Sequence, residues 1–112
     1  MDIDLLQHCK EYLHTIVEEY IYNLHNLLYE ISECDEDSKK YKKAKEALPI
    51  WKKEIENKVQ DCKEDFGEDN YLPREEFYPI YCLFNALIDH PEDDNIADDI
   101  QECLDNLIKK YT

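Results

Sequence analysis

The stretch LLQHCKEYLHTIVEEYIYNLHNLLYEI, residues 5–31, decides the fold class. Leu6, Cys9, Leu13, Ile16, Tyr20, Leu24, Leu27 and Ile31 follow one another at steps of three or four. That spacing is a helical stripe, broadened by Leu5, Tyr12, Val17, Ile21 and Leu28. It predicts one helix over about residues 3–33, roughly 45 Å long at 1.5 Å per residue. Asp2 or Asp4 can cap its start, and CDEDS closes it, offering Asp37 or Ser38 as the next N-cap.

A second stripe follows in Tyr41, Ala44, Leu48, Trp51, Ile55, Val59, Cys62 and Phe66. Pro49 lies inside it and should cost a helix about 3 kcal/mol, through a lost hydrogen bond and a clash with Lys45. The apolar phase is the same on both sides, which favours one helix, 38–66, kinked at Pro49. A break, with Pro49 opening a new helix, is the alternative. Gly67, the only glycine, stands where a helix-terminating residue belongs. After the loop EDNYLP, Pro73 can take the first helical position. The apolar run FYPIYCLFNALI then predicts the most buried helix, bent or delayed at Pro79, with Cys82 as an inert core thiol. DHPEDD turns the chain into a last amphipathic helix, acidic at its start and basic at its end. The expectation is an all-α, single-domain bundle of four main helices over residues 1–112, the second and third kinked or broken at Pro49 and Pro79.

Composition agrees. One glycine and four prolines are too few for the turns of an all-β fold. Five cysteines, an odd number at wide spacing without a C-x-x-C pair, suit reduced thiols in a cytoplasmic protein rather than a disulfide scaffold or a zinc module. The N-terminus MDIDLLQ is acidic where a signal peptide is basic, and no long apolar run suggests a membrane span. The formal charge of −15 opposes nucleic acid and anionic membranes and favours a basic partner. That charge is segregated. Residues 1–38 carry ten acids and one base, residues 39–58 eight lysines and three acids, and residues 61–105 fifteen acids against Lys63 and Arg74.

Catalytic and cofactor chemistry finds little to use. HPEDDNIADDIQE, residues 90–102, is dense in acids but fails as a calcium loop: counted from Asp93, Ala97 falls at position 5 and Asp98 at position 6. His14 and Glu18 have ligand spacing on a helix without a third partner in the same orientation. One glycine cannot make a phosphate-binding loop, and no nucleophile stands with a base. No enzyme activity, metal or cofactor is expected. The run KKYKKAK, hemmed in by acids, suits solvation and intramolecular pairing better than nucleic acid.

On a helix, Asp94, Asp98, Glu102 and Asp105 form a row at steps of four, four and three, with Asp99 beside it and the apolar residues opposite. Tyr22, Tyr29, Tyr71 and Tyr78 fit the helical stripes poorly, and tyrosine beside carboxylates suits a recognition surface. The predicted partner-binding residues are therefore Tyr71, Tyr78, Glu92, Asp93, Asp94, Asp98, Asp99 and Glu102.

LIDHPEDDNI, residues 87–96, resembles the helix-turn of the immunity proteins that neutralise DNase colicins. In that family a His-Pro pair follows a helix, and nearby acids and tyrosines meet the toxin. His90 and Pro91, with the acids after them, carry the likeness, while the family's adjacent tyrosine pair is absent. The resemblance implies the broader functional type, which includes the partners of contact-dependent growth inhibition toxins. It implies a small acidic cytoplasmic bacterial protein that binds and neutralises a toxin, a nuclease in particular. Physical chemistry runs the same way, because a nuclease carries a basic surface for phosphate and an acidic inhibitor is steered toward it. The alternatives are a phage-type nucleic-acid mimic of the anti-CRISPR or anti-restriction kind, and an acidic secretion chaperone or helical scaffold.

Overall fold

Each helix starts where a local signal starts it. The computed structural model describes residues 3–68 and 72–112, and helices account for nearly all of them. Helix α1 (Ile3–Ile16) carries Asp4 in its first turn, where a negative charge complements exposed N–H groups. Asp2, the other candidate cap, lies outside the described residues. The chain then passes through a π-helical turn (Val17–Ile21) directly into α2 (Tyr22–Glu33), making one long rod as the stripe predicts. Ser38 caps α3 (Lys39–Glu68): its Oγ accepts the Tyr41 N–H at 3.1 Å while its hydroxyl donates to the Asp35 carbonyl at 2.8 Å. Helix α4 (Arg74–Asp89) follows Pro73, and α5 (Asp94–Tyr111) is capped by the Asp93 carboxylate, which accepts the Asn95 N–H at 3.0 Å.

Two expectations about helix ends need correction. Pro73 is not the first helical residue but the extended residue before it, φ −56° and ψ 146°. Its carbonyl accepts the N–H groups of Glu76 and Phe77 at 2.9 and 3.0 Å, so it serves as a cap through its backbone. Gly67 does not stop α3, which continues to Glu68. A Cβ at Gly67 would meet only Phe77 Cζ at 3.9 Å, an ordinary contact. The favoured continuous helix does form: Pro49 lies within α3, and Pro79 lies within α4. Both sit on exposed faces, where water can serve the carbonyls of Lys45 and Glu75 that lose their helical partners.

The π turn has a reason in the sequence. Leu6, Cys9, Leu13 and Ile16 are buried in α1, and Val17, Ile21 and Leu24 continue the core. A seven-residue repeat from Leu13 and Ile16 would bury Tyr20 and Asn23. The chain instead buries Ile21 and Leu24, each one position later. The wide turn, closed by the Tyr22 N–H on the Val17 carbonyl, absorbs that extra residue and keeps the apolar face pointing inward. The stripe thus runs through Ile21 rather than Tyr20, and Tyr20 is left half-buried against Trp51, ring centres 5.7 Å apart.

The rods pack as a square. α1 lies beside α3, α5 covers α1, α4 covers α3, and α4 lies beside α5. Ile55, Val59, Cys62 and Phe66 of α3 meet Ile80, Phe84 and Leu87 of α4 and Ala97, Ile100 and Leu104 of α5 in one core. Phe66 stacks on Phe77 and tilts against Phe84, with ring centres 5.4 and 5.6 Å apart. The apolar run of α4 is not the most buried helix. Only Ile80, Phe84 and Leu87 are buried, Tyr78 is 56% exposed, and Cys82 faces solvent rather than the core. Helix α4 touches only α3 and α5, so one stripe is all it can bury.

The square is half the length of the molecule. α3 has 30 residues and α4 only 16, and among the helical elements α2 packs on α3 and the π turn alone. The protein therefore measures 54 × 20 × 20 Å, a four-helix bundle from which α2 and the first half of α3 extend as a two-helix arm.

Candidate functional site

The acidic segment 90–102 divides into a turn that consumes its side chains and a helix face that does not. At the turn, the His90 N–H closes α4 on the Ala86 carbonyl at 2.9 Å, and the Asp93 N–H returns to the His90 carbonyl at 3.0 Å. Pro91 is buried beneath. The Asp93 carboxylate is occupied by the cap of α5, and Glu92 lies 4.0 Å from the His90 ring. The Glu92 carbonyl accepts from His25 Nε2 at 2.5 Å, which ties the turn to the start of α2. Two of the predicted partner-binding residues, Glu92 and Asp93, thus have work inside the fold.

Along α5, Ala97, Ile100, Leu104 and Leu107 are buried, and Asp98, Asp99 and Glu102 are exposed on the other side. None of these three makes an ion pair among the described residues. Asp94 is half-buried at the start of the row. Asp105, at its far end, is taken by Lys10 of α1 at 2.5 Å. The open part of the row is therefore Asp94, Asp98, Asp99 and Glu102. Their field reaches the half-buried Cys103, whose thiol is pushed up by burial first and then by Asp99 and Glu102. A thiol so placed stays protonated and is a poor nucleophile.

The tyrosines do not join this row. Tyr71 lies outside the described residues. Tyr78 stacks with the Arg74 guanidinium, 5.9 Å from its ring centre, near the start of α4. Because α4 and α5 run antiparallel, that end meets the end of α5. Glu76 accepts from Lys110 and, at 2.6 Å, from the Tyr111 hydroxyl. A groove there is lined by Glu76, Pro79, Ile80, Cys103 and Leu107. From Asp98 to Asn106, at the level of Pro79, is roughly 12 Å along the helix. The exposed tyrosines nearer the acidic turn are Tyr22, 47% exposed, and Tyr29, 67% exposed, both on α2. Tyr22 lies against the same His25 that holds the turn, ring centres 6.1 Å apart. Their poor fit to the stripe was the available signal. Their closeness to the turn depends on folding.

The other candidate chemistry is absorbed by packing or solvent. Cys62 donates its S–H to the Cys9 carbonyl at 3.7 Å in the core, and contact with Cys9 together with burial pushes its thiol strongly up. His14 pairs with Glu18 at 3.2 Å in solvent. Among the described residues, no group of three or more His, Cys, Asp or Glu side chains is arranged to hold a metal ion, and no helix is long and apolar enough to cross a membrane. The lysine run does not pair with acids as expected: Lys39, Lys40, Lys42 and Lys43 make no ion pair among the described residues, and Lys45 lies over the Tyr41 ring at 5.7 Å. The chain matches no family model, no curated protein and no solved structure.

Proposed function

We propose that this chain is a small acidic binding protein of the bacterial cytoplasm that neutralises a basic protein partner, a nuclease toxin, through the exposed carboxylates of α5. The observation that carries this reading is the state of Asp98, Asp99 and Glu102. They are exposed, unpaired among the described residues, and fixed on a helix whose opposite face is locked in the core. Like charges at this spacing repel by a few tenths of a kcal/mol per pair within the helix. A cationic partner offsets that repulsion. A nuclease groove built for phosphate supplies such a surface and gains electrostatic steering. The broad nucleic-acid mimic is less well supported, because the lysines of α3 interrupt the negative surface.

The test is capture from the source organism with the native chain and with the D98K/D99K/E102K variant. The expected result is a basic protein that degrades nucleic acid, is silenced by the native chain at equal molar amounts, and associates more slowly with the variant. The native rate should fall with salt, since the Debye length is roughly 8 Å at physiological ionic strength. Unchanged association for the variant at low and high salt would leave the row a solvated face and refute the proposal.

A further inference from the structure

Two core thiols meet where α1 and α3 pack side by side. Cys9 of α1 and Cys62 of α3 are each 1% exposed and stand 53 residues apart in the chain. The Cys62 S–H reaches the main-chain carbonyl of Cys9 at 3.7 Å, and the two thiols are themselves in hydrogen-bonding contact. That contact holds the proton on Cys62, whose thiol is pushed up by Cys9 first and by burial second. It lowers the Cys9 thiol, against burial and the nearby Asp65 carboxylate. The pair is therefore unequal, with Cys9 the readier thiolate and Cys62 the proton holder. A groove of about 340 Å³ marks the α1–α3 surface at the same level. Its walls include His8 and Asp61, the chain neighbours of the two cysteines, together with Tyr12, Glu64 and Asp65. The other cysteines, Cys34 at the end of α2, Cys82 on α4 and Cys103 on α5, are less buried.

We propose that Cys9 and Cys62 are a reversible dithiol, which a small disulfide oxidises to a bond that staples α1 to α3. The chemistry is two successive exchanges. The Cys9 thiolate attacks one sulfur of the small disulfide, whose S–S bond breaks, and the departing thiolate takes up the proton that Cys9 released. The Cys62 sulfur, its proton passed to solvent, then attacks Cys9 in the mixed disulfide and expels the second small thiol. Two protein thiols are oxidised, and one small disulfide is reduced to two thiols. Neither cysteine is open to solvent, so exchange waits on opening of the first turns of α1. That helix begins at Ile3, less than two turns before Cys9. The groove borders the segment that opens, and its three carboxylates repel an anionic disulfide and favour a cationic one. The bond closes the chain from Cys9 to Cys62, a loop that contains the whole arm, and so restricts the unfolded chain.

The probe is cystamine, a small dicationic disulfide, offered with cysteamine at graded ratios to the folded chain. The native chain and a C34S/C82S/C103S chain, which keeps only the pair in question, are run side by side. Circular dichroism checks that the variant keeps the native helix content, and the native chain carries the test if it does not. After alkylation of the remaining thiols, intact mass and peptide mapping read the products. The expected product of the variant lacks two hydrogens, takes up no alkyl group and reverts with a reducing dithiol. In both chains a cross-linked Cys9–Cys62 peptide should appear. The melting temperature of the linked variant should rise by roughly 10 °C, in keeping with closure of a long loop. Adding C9S or C62S to the variant should stop the reaction at a single mixed disulfide or at the free thiol. Free Cys9 and Cys62 at every ratio, linkage only after urea has unfolded the chain, or a linked form that melts no higher than the dithiol would each overturn the proposal. So would linkage of either cysteine to Cys34, Cys82 or Cys103 in place of the other. The α5 carboxylates take no part in this bond, so none of these outcomes alters the nuclease experiment.

Discussion

Ile55, Val59, Cys62 and Phe66 on one half of α3 are fully buried, whereas Tyr41, Leu48 and Trp51 on the other half remain half-exposed. The two halves belong to a single stripe with a single period. The difference lies in how much covers them: α1 and α4 pack on one half, α2 alone on the other. An apolar stripe reports the face that a helix offers, and burial requires a second element to accept it. The bundle half is a closed core, and the arm is a core with one layer missing.

That contrast has measurable consequences, the largest in the bundle. Phe84→Ala removes a fully buried ring packed on Phe66 and should cost about 3–5 kcal/mol in urea unfolding. Leu48→Ala, on the half of the stripe that α2 alone covers, should cost only about 1 kcal/mol, because water already reaches part of the side chain. Comparable losses at the two sites would mean that the arm is packed as tightly as the bundle, and the distinction would collapse.

A smaller effect is expected at Pro49, in the arm. Because α3 runs through it, Pro49→Ala restores the bond to the Lys45 carbonyl and should stabilise the protein by about 1–2 kcal/mol. A loss of stability in the same thermal or urea experiment would show that the fixed φ of Pro49 is needed to start a helix.

The smallest effect is at the end of the bundle opposite the arm. There the hydrogen bonds from Lys110, and after it Tyr111, hold the Glu76 carboxyl below its usual value of 4.5. A lowered folded pKa contributes stability that is present above the unfolded value and lost as the pH falls through the folded one. The native chain should therefore melt slightly higher than Glu76→Gln above about pH 5, and the two curves should converge at lower pH. Parallel melting curves across that range would mean that the Glu76 contact adds no pH-dependent stability.

Local chemistry made much of the fold legible. The helix spans, the Ser38 cap and the acidic start and basic end of α5 follow from residues within one or two turns of each other, so the chain itself specifies them. The persistence of phase across Pro49 also gave the continuous α3. Position-specific expectations failed where a neighbour decided the matter. Cys82 lies in an apolar run, yet faces water because α4 has partners on one stripe only. The stripe of the first rod passes through Ile21 and not Tyr20, because the π turn inserts one residue to keep facing α3 and α5.

The candidate site divides along the same line. That Asp98, Asp99 and Glu102 oppose the apolar face of α5 is a property of helical period, and the sequence determined it alone. That Asp105 is neutralised by Lys10, 95 residues away, depends on how α5 lies on α1. So does the tie from His25 to Glu92, 67 residues apart, which sets the acidic turn at the base of the arm beside Tyr22. Periodicity fixes direction around one helix axis. It carries no information about which distant helix stands in that direction, or whether any does, and only the packing of the rods decided that.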